Sequence, residues 1–111
     1  MIRRKYTSDD FSCDMRGLLS FLMLFLLSRR PMHGKEIADE IEVRRGYRPS
    51  PGTIYPALKT LRQAGLIKEK RCGQKVIYEL TEIGTRSFRI ARVQFCRSFT
   101  DILENNTEFD L

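Results

Sequence analysis

The sequence predicts a mainly α-helical fold with a small β-hairpin, and two observations predict it. Apolar residues recur at helical spacing along most of the chain, and the period changes to two only over residues 66–80. The length of 111 residues fits one domain with an accessory element and excludes a multi-domain enzyme. At 41% hydrophobic and 31% charged, the composition is that of a globular protein.

The first predicted helix runs from about Asp14 to Ser28, and Pro31 lies beyond its end. Its stretch Leu18–Leu27 (LLSFLMLFLL) is apolar on nearly all sides, which is typical of a helix buried at the centre of a small domain. A membrane-attached segment is the alternative. Because a bilayer span takes about 20 residues, we expect this shorter stretch in the core and no membrane partner.

Two further helices follow, and a rigid turn separates them. The second is predicted from Gly34 to Arg45, and Gly46 ends it. Ser50 is placed as the N-cap of the third helix, and Pro51 takes the first helical position, where its missing N–H costs nothing. This third helix is predicted to continue to about Ala64.

The third helix has one apolar side. Ile54, Leu58 and Leu61 follow the spacing i, i+4, i+7, so they are predicted to face the core. The rest of its surface is polar and is able to reach a groove of DNA. The side chains largely off the apolar stripe are Thr53, Tyr55, Pro56, Lys59, Arg62 and Gln63.

A β-hairpin is predicted after the third helix. Leu66–Arg71 and Val76–Leu80 alternate as strands do, and the glycine-containing segment Cys72–Lys75 is predicted as the loop between them. The order of three helices and a hairpin is that of a helix-turn-helix with a β-wing. We assign residues 1–81 to this winged helix-turn-helix DNA-binding domain, including its N-terminal helix.

Residues 82–111 are assigned to a C-terminal dimerisation helix and an acidic tail. Thr81 is expected to cap the helix, which continues to about Glu104, and the tail Asn105–Leu111 is expected to fray. The apolar stripe of this helix is wide for so small a protein to bury alone, so we predict that it pairs in a two-fold homodimer. Its members are Phe88, Ala91, Phe95, Phe99 and Ile102.

The net charge of +6 has a distinct location. Residues 44–75 hold nine basic residues against Glu69 alone, whereas residues 76–111 are net acidic. Basic residues concentrated around a helix and a hairpin are typical of a nucleic-acid-binding surface. The alternative is a solvated basic face.

The cysteines and the histidine predict no metal site, cofactor or enzyme. Cys13, Cys72 and Cys96 form no Cys-x-x-Cys pair, their odd number argues against a disulfide framework, and His33 is the only histidine. A cytoplasmic location is therefore expected, and no nucleophile, base and orienting residue occur together. Cys72 has basic neighbours in Arg71 and Lys75, so it is a candidate redox sensor, with an incidental exposed cysteine as the alternative.

Several motifs in order resemble the PadR-type transcriptional regulators, over roughly residues 18–86. The motifs are His33-Gly34-x-Glu36-Ile37, Pro49-Ser50-Pro51-Gly52-Thr53-Ile54-Tyr55-Pro56-Ala57-Leu58, Leu61 with Gly65-Leu66-Ile67, and Tyr78-x-Leu80-Thr81-x-x-Gly84. The resemblance implies a winged-helix DNA-binding domain and a homodimer formed through terminal helices. It also implies a repressor, since such regulators usually repress, and several release DNA on binding a small-molecule effector.

The chain departs from the family pattern in its wing and its C-terminal part. The loop Cys72–Lys75 lacks the longer glycine- and arginine-containing linker common in the family. The single C-terminal helix places the chain in the compact subgroup. Because the chain has no Trp, ligand stacking between paired tryptophans cannot be carried over.

The candidate DNA-binding residues lie at the third helix, before it and on the wing. The family position that matches Tyr55 contacts DNA, and a Tyr hydroxyl can donate to a phosphate; the alternative is a partly buried ring under the wing. Ser50 is weighed mainly as a cap, and Lys35 equally as a free surface lysine. His33 is expected to be a structural cap. The full set is Lys35, Arg48, Ser50, Gly52, Thr53, Tyr55, Lys59, Arg62, Gln74 and Lys75.

The leading hypothesis is a dimeric repressor that binds a pseudo-palindromic site in double-stranded DNA. Its two recognition helices would read half-sites centred about 34–36 Å apart. The alternative is a winged-helix protein-interaction or ligand-sensing module that does not bind DNA, because fold alone does not fix function.

Overall fold

The computed structural model describes residues 16–104, so the predicted start at Asp14 and the tail Asn105–Leu111 lie outside the described residues. The mainly helical prediction is confirmed, with a small antiparallel sheet of three strands. Between residues 16 and 104, no helix has both the length and the apolar character needed to cross a membrane. The elements are α1 (Arg16–Arg29), β1 (Met32–His33), α2 (Gly34–Arg45), α3 (Pro51–Gln63), β2 (Ile67–Cys72), β3 (Lys75–Leu80) and α4 (Glu82–Glu104).

The apolar stretch of α1 forms the centre of the core, as predicted. Met23 and Leu26 are almost completely buried, together with Ile37 and Ile41 of α2. Helix α1 packs against α2, α3, α4 and β3, so its apolar residues are covered on several sides. This explains why α1 is apolar nearly all round, whereas α2 and α3 each carry only a stripe.

The sheet is larger than predicted, and its turn is tighter. The strand β1 has only two residues, pairs with β3 through Met32 opposite Tyr78, and was missed because two residues show no periodicity. The predicted four-residue loop is wrong. Cys72 and Lys75 pair as the last residues of β2 and β3, so only two residues form the turn. Gly73 begins that turn at φ +64°, a conformation that favours glycine.

A capping box fixes the start of α2. The backbone N–H of Glu36 donates to His33 Nδ1 at 3.4 Å, and the backbone N–H of His33 donates to Glu36 Oε1 at 3.1 Å. That backbone donor, with Arg30 assisting, lowers the pKa of Glu36 below its usual value. The structural role predicted for His33 is confirmed.

Helix α4 is fastened to the sheet at its first turn. Thr81 is the predicted cap: its hydroxyl accepts from the backbone N–H of Gly84 at 3.0 Å and donates to the carbonyl of Gly65 at 2.6 Å. A Cβ at Gly84 would overlap the carbonyl group of Leu66. The close approach of α4 to the loop before β2 therefore requires glycine at this position.

Candidate nucleic-acid interface

Helix α3 has the two sides that its sequence predicts. Ile54, Leu58 and Leu61 are buried in the core. Tyr55 and Lys59 are exposed on the other side, together with Arg62 and Gln63. The helix therefore presents a polar, cationic surface while its apolar stripe holds it on the domain.

The start of α3 leaves its hydroxyl groups available. Ser50 is the N-cap residue by position, but its side chain makes no capping hydrogen bond, so the prediction of a side-chain cap is wrong. Instead, its backbone carbonyl accepts from the N–H groups of Thr53 and Ile54 at 2.9 Å, and its Oγ lies 3.3 Å from Thr53 Oγ1. Gly52 beside them is exposed, and a Cβ at this position would meet only Ser50 Oγ, at 3.7 Å. The first turn of α3 thus offers two hydroxyls and an accessible backbone to an anion.

The ring of Tyr55 packs on the start of α2 rather than under the wing. A Cβ at Gly34 would lie 2.8 Å from the ring atoms Cε1 and Cζ, so the missing side chain of that glycine makes room for the ring. The residue remains 48% exposed. Tyr55, Lys35 and Arg48 line one small depression of about 180 Å³ between α2 and the start of α3.

Arg48 lies in the turn before α3, and acids of α2 hold it. Its guanidinium pairs with Asp39 and, at 3.4 Å, with Glu42. The hydrogen bond from Arg48 lowers the pKa of Asp39, and the same bond raises the pKa of Arg48. Arg48 therefore ties the turn to α2, and a phosphate contact from it stays a prediction.

A second ion pair joins α3 to the base of the wing. Arg62 Nε lies 3.5 Å from Glu69 Oε2 on β2. Opposite Glu69 on β3 lies Tyr78, which is buried; burial, followed by the charge of Glu69, raises the pKa of its phenol. Arg62 is thus partly engaged within the protein through its ion pair with β2.

The wing is a strongly exposed hairpin. All residues of β2 after Ile67 are exposed, and Gln74 lies in its turn. Lys68 pairs with Glu79 at 3.3 Å, whereas no acid of the described part of the chain pairs with Lys70, Arg71 or Lys75. Lys70 and Arg71 are not among the residues predicted to bind DNA, and the concentration of positive charge over residues 44–75 was the signal that included them.

The predicted dimerisation stripe of α4 serves two purposes. Phe88 is buried, with its ring centroid 5.5 Å from Phe21 and 6.2 Å from Phe25, so it completes the core of the protomer. Phe95 stacks on Phe21 at 4.9 Å and contacts Phe99 at 4.5 Å. Ala91 is half-buried, whereas Phe99 and Ile102 are exposed.

An open groove of about 460 Å³ lies between α1 and α4. Leu18 and Phe21 line it from α1, and Phe95 and Phe99 line it from α4. The N-terminal end of the stripe, at Phe88, is thus covered inside the protomer. Towards its C-terminal end, Phe95 and Phe99 border the apolar groove.

Within residues 16–104, the cysteines and the possible metal ligands do not form a shared site on this surface. Cys72 and Cys96 are exposed free thiols on different elements. Over residues 16–104, no three His, Cys, Asp or Glu side chains are arranged to hold a metal ion.

The comparisons with known proteins identify the family. A model of the transcriptional regulator PadR-like family matches residues 23–90, which include the second half of α1, all of α2, α3 and the sheet, and the first turns of α4. The chain belongs to the PadR-like family of transcriptional regulators. The matched residues include all three elements of the cationic surface, namely α3, the turn before it and the wing.

Individual relatives agree with the family assignment. The transcriptional regulator YqjI of Escherichia coli is 42% identical over 74 residues, which are 63% of this chain and 35% of that protein, so the chain spans about a third of its length. A transcriptional regulator from Clostridium thermocellum has a TM-score of 0.72 at 22% identity, over 82% of this chain and 95% of that one. A PadR family regulator from Clostridium difficile has a TM-score of 0.65 at 25% identity, over 82% and 96%.

Proposed function

We propose that this PadR-like regulator is a homodimer that binds double-stranded DNA sequence-specifically and represses transcription in the cytoplasm, without catalysis. One observation carries the proposal: α3 and the wing form a continuous exposed surface whose cations largely lack acid partners. Lys59 on α3 and Lys70, Arg71 and Lys75 on the wing are unpaired within residues 16–104. Such cations release counterions from DNA when they contact phosphates.

The geometry suggests how the duplex is read. The first turn of α3 enters the major groove, where Gly52 permits close approach and Ser50 and Thr53 donate hydroxyls to phosphates. The ring of Tyr55 packs against the start of α2, and its hydroxyl donates a hydrogen bond to a phosphate. Lys59 and Arg62 reach the duplex one and two turns further along α3, and Lys35 reaches the backbone from α2.

The wing supplies the second contact. Gln74 and Lys75, at the tip of the hairpin, reach the adjacent minor groove. Lys70 and Arg71 follow along β2 and add charge to the same surface. Arg48 assists by positioning the turn before α3, because Asp39 and Glu42 already hold its guanidinium.

The homodimer forms through residues 82–111 together with α1, while residues 1–81 carry the DNA-binding surface. The support is the apolar groove between α1 and α4, with exposed Phe99 and Ile102 on the α4 stripe. A two-fold axis at this groove would present two α3 helices to a pseudo-palindromic operator with half-sites about 34–36 Å apart. A small hydrophobic effector that competes with the partner protomer for this apolar groove, which Gln94 borders, would disturb the dimer and release DNA.

Selection of bound DNA from a random pool, followed by fluorescence anisotropy on the enriched duplex, tests this function. We expect Lys59→Ala to weaken binding and to lower the salt slope by about one phosphate contact, and Tyr55→Phe to weaken binding by several-fold. Arg89→Ala removes the same charge from α4 and is the matched control, with unchanged affinity expected. Sedimentation of each variant checks that the dimer is retained.

Two results would count against the proposal. Unchanged affinity in both the Tyr55 and the Lys59 variant would remove this side of α3 from the interface. Recovery of no enriched sequence would favour a protein-interaction or ligand-sensing module that does not bind DNA.

A further inference from the structure

The outer face of α4 carries a concentration of arginines that the overall charge of the C-terminal part conceals. Residues 76–111 are net acidic, yet residues 83–100 contain four Arg and no Asp or Glu. A shallow depression of about 450 Å³ lies on this face. We call it the outer arginine face, and it is lined by Arg89, Arg92, Val93, Cys96, Arg97 and Thr100.

The arginines of the outer arginine face differ from the ion-paired arginines elsewhere in the domain. Arg30, Arg44, Arg48 and Arg62 each lie within 3.5 Å of a carboxylate oxygen. In contrast, the three arginines of the outer arginine face have no ion-pair partner among residues 16–104. Because like charges three residues apart on a helix destabilise it, an unneutralised run of this kind favours an anionic partner.

The face also has an apolar component. Val93 is 55% exposed within the depression, and Ile90 beside it is 61% exposed. By helical spacing, these residues lie on the side of α4 opposite Phe88 and Phe95, which pack against α1. The outer arginine face is therefore separate from the groove between α1 and α4.

We propose that the outer arginine face docks an acidic amphipathic helical segment of a partner protein, whose carboxylates pair with Arg89, Arg92 and Arg97 while its apolar residues cover Ile90 and Val93. Charge complementarity sets the sign of the partner, and the exposed β-branched residues favour a protein helix over a phosphate backbone. Helix α4 packs on α1 and β3, whereas the cationic surface proposed for DNA is on α3 and β2. The partner can therefore bind while DNA is bound.

The test uses the full chain and a labelled 21-residue peptide with Leu at helical i, i+3, i+4, i+7 spacing and Glu at the other positions. Fluorescence anisotropy measures its binding, and the same peptide with Gln in place of Glu is the control ligand. We expect the triple variant Arg89→Gln/Arg92→Gln/Arg97→Gln to bind the acidic peptide about tenfold more weakly, as the loss of three exposed ion pairs implies. Ile90→Ser/Val93→Ser should also weaken it.

A matched variant separates this site from the DNA surface. Lys68→Gln/Lys70→Gln/Arg71→Gln removes the same charge from the wing; it should weaken binding to double-stranded DNA and leave peptide binding unchanged. Circular dichroism confirms that α4 is intact in each variant.

Four results would overturn the proposal. They are absence of peptide binding by the unmodified chain, equal binding of the Glu and Gln peptides, equal loss of peptide binding in the two triple variants, and loss of DNA binding rather than peptide binding in the α4 variant. The last result would assign the face to nucleic acid. None of the four decides whether α3 and the wing bind DNA, so the two proposals fail separately.

Discussion

Helices α3 and α4 are both amphipathic, yet only α3 has its apolar side completely covered. Ile54, Leu58 and Leu61 of α3 are all buried, whereas α4 leaves Phe99 and Ile102 of its apolar stripe exposed. The apolar side of α3 is therefore covered within one protomer, so the exposed side of this helix is free to bind a polar ligand. Helix α4 instead has apolar surface beyond its contacts with α1, which favours contacts with other chains.

The first prediction concerns the truncation of one leucine on each of these two helices. Leu58→Ala on α3 should lower the free energy of unfolding by about 2–5 kcal/mol, because the side chain is 1% exposed and its loss leaves a cavity. Leu103→Ala on α4, where the side chain is 68% exposed, should cost less than about 0.5 kcal/mol. Urea unfolding of both variants measures the difference. Equal losses would mean that a partner chain covers Leu103.

The second prediction concerns the C-terminal end of the apolar stripe on α4. Ile102→Asp should weaken the proposed homodimer about 100-fold. Because Ile102 is 53% exposed in the protomer, its two copies together would lose burial worth roughly 1.5–3 kcal/mol, and each would add a charge. Sedimentation equilibrium measures the change. Ile83→Asp, at the other end of α4, is the control, because Ile83 is similarly exposed but by helical spacing lies off the stripe that contains Phe99 and Ile102. An unmodified chain that sediments as a monomer at micromolar concentration would contradict the prediction.

The third prediction tests how α4 is attached. Gly84→Ala should destabilise the fold by about 1–3 kcal/mol, because the new methyl group would overlap the carbonyl of Leu66 and force α4 away from the domain. Gly17→Ala, with open space around the glycine, should instead stabilise α1 by about 0.5–1 kcal/mol. Thermal unfolding compares the two. Destabilisation by both substitutions would show that the effect is not specific to the α4 contact.

The sequence predicted the elements of this fold more completely than their contacts. Periodicity in α3 and α4 and the continuous apolar stretch of α1 identified these three helices, and Thr81 marked the start of α4. The strand β1 was missed because its two residues acquire strand geometry only by pairing with β3, a long-range contact. Likewise, the length of the hairpin turn depended on the register between β2 and β3, which alternation alone does not determine.

The candidate site was predicted by residue type, whereas its ion pairs were not. Arg48 was expected to be free for phosphate, yet α2 places Asp39 and Glu42 against it. Nine residues separate Asp39 from Arg48, so the pair depends on the turn between two helices rather than on spacing along one. The glycine that accommodates Tyr55 is likewise on α2, and only packing brings Gly34 and Tyr55 together.

The fourth prediction concerns the pH dependence of the ion pair between Arg48 and Asp39, which joins the turn before α3 to α2. Its effect on stability is expected to be small. Arg48 lowers the pKa of Asp39 in the folded protein, so this carboxylate contributes stability above its unfolded pKa of about 4, and the contribution is lost as the pH falls through the folded pKa. Asp39→Asn should therefore flatten the acid limb of the stability profile slightly, and Arg48→Met should do the same because it removes the cause of the shift. Urea unfolding between pH 2 and pH 7 measures both. If neither variant changes the acid limb, the ion pair does not stabilise the turn before α3, and that turn is held by packing alone.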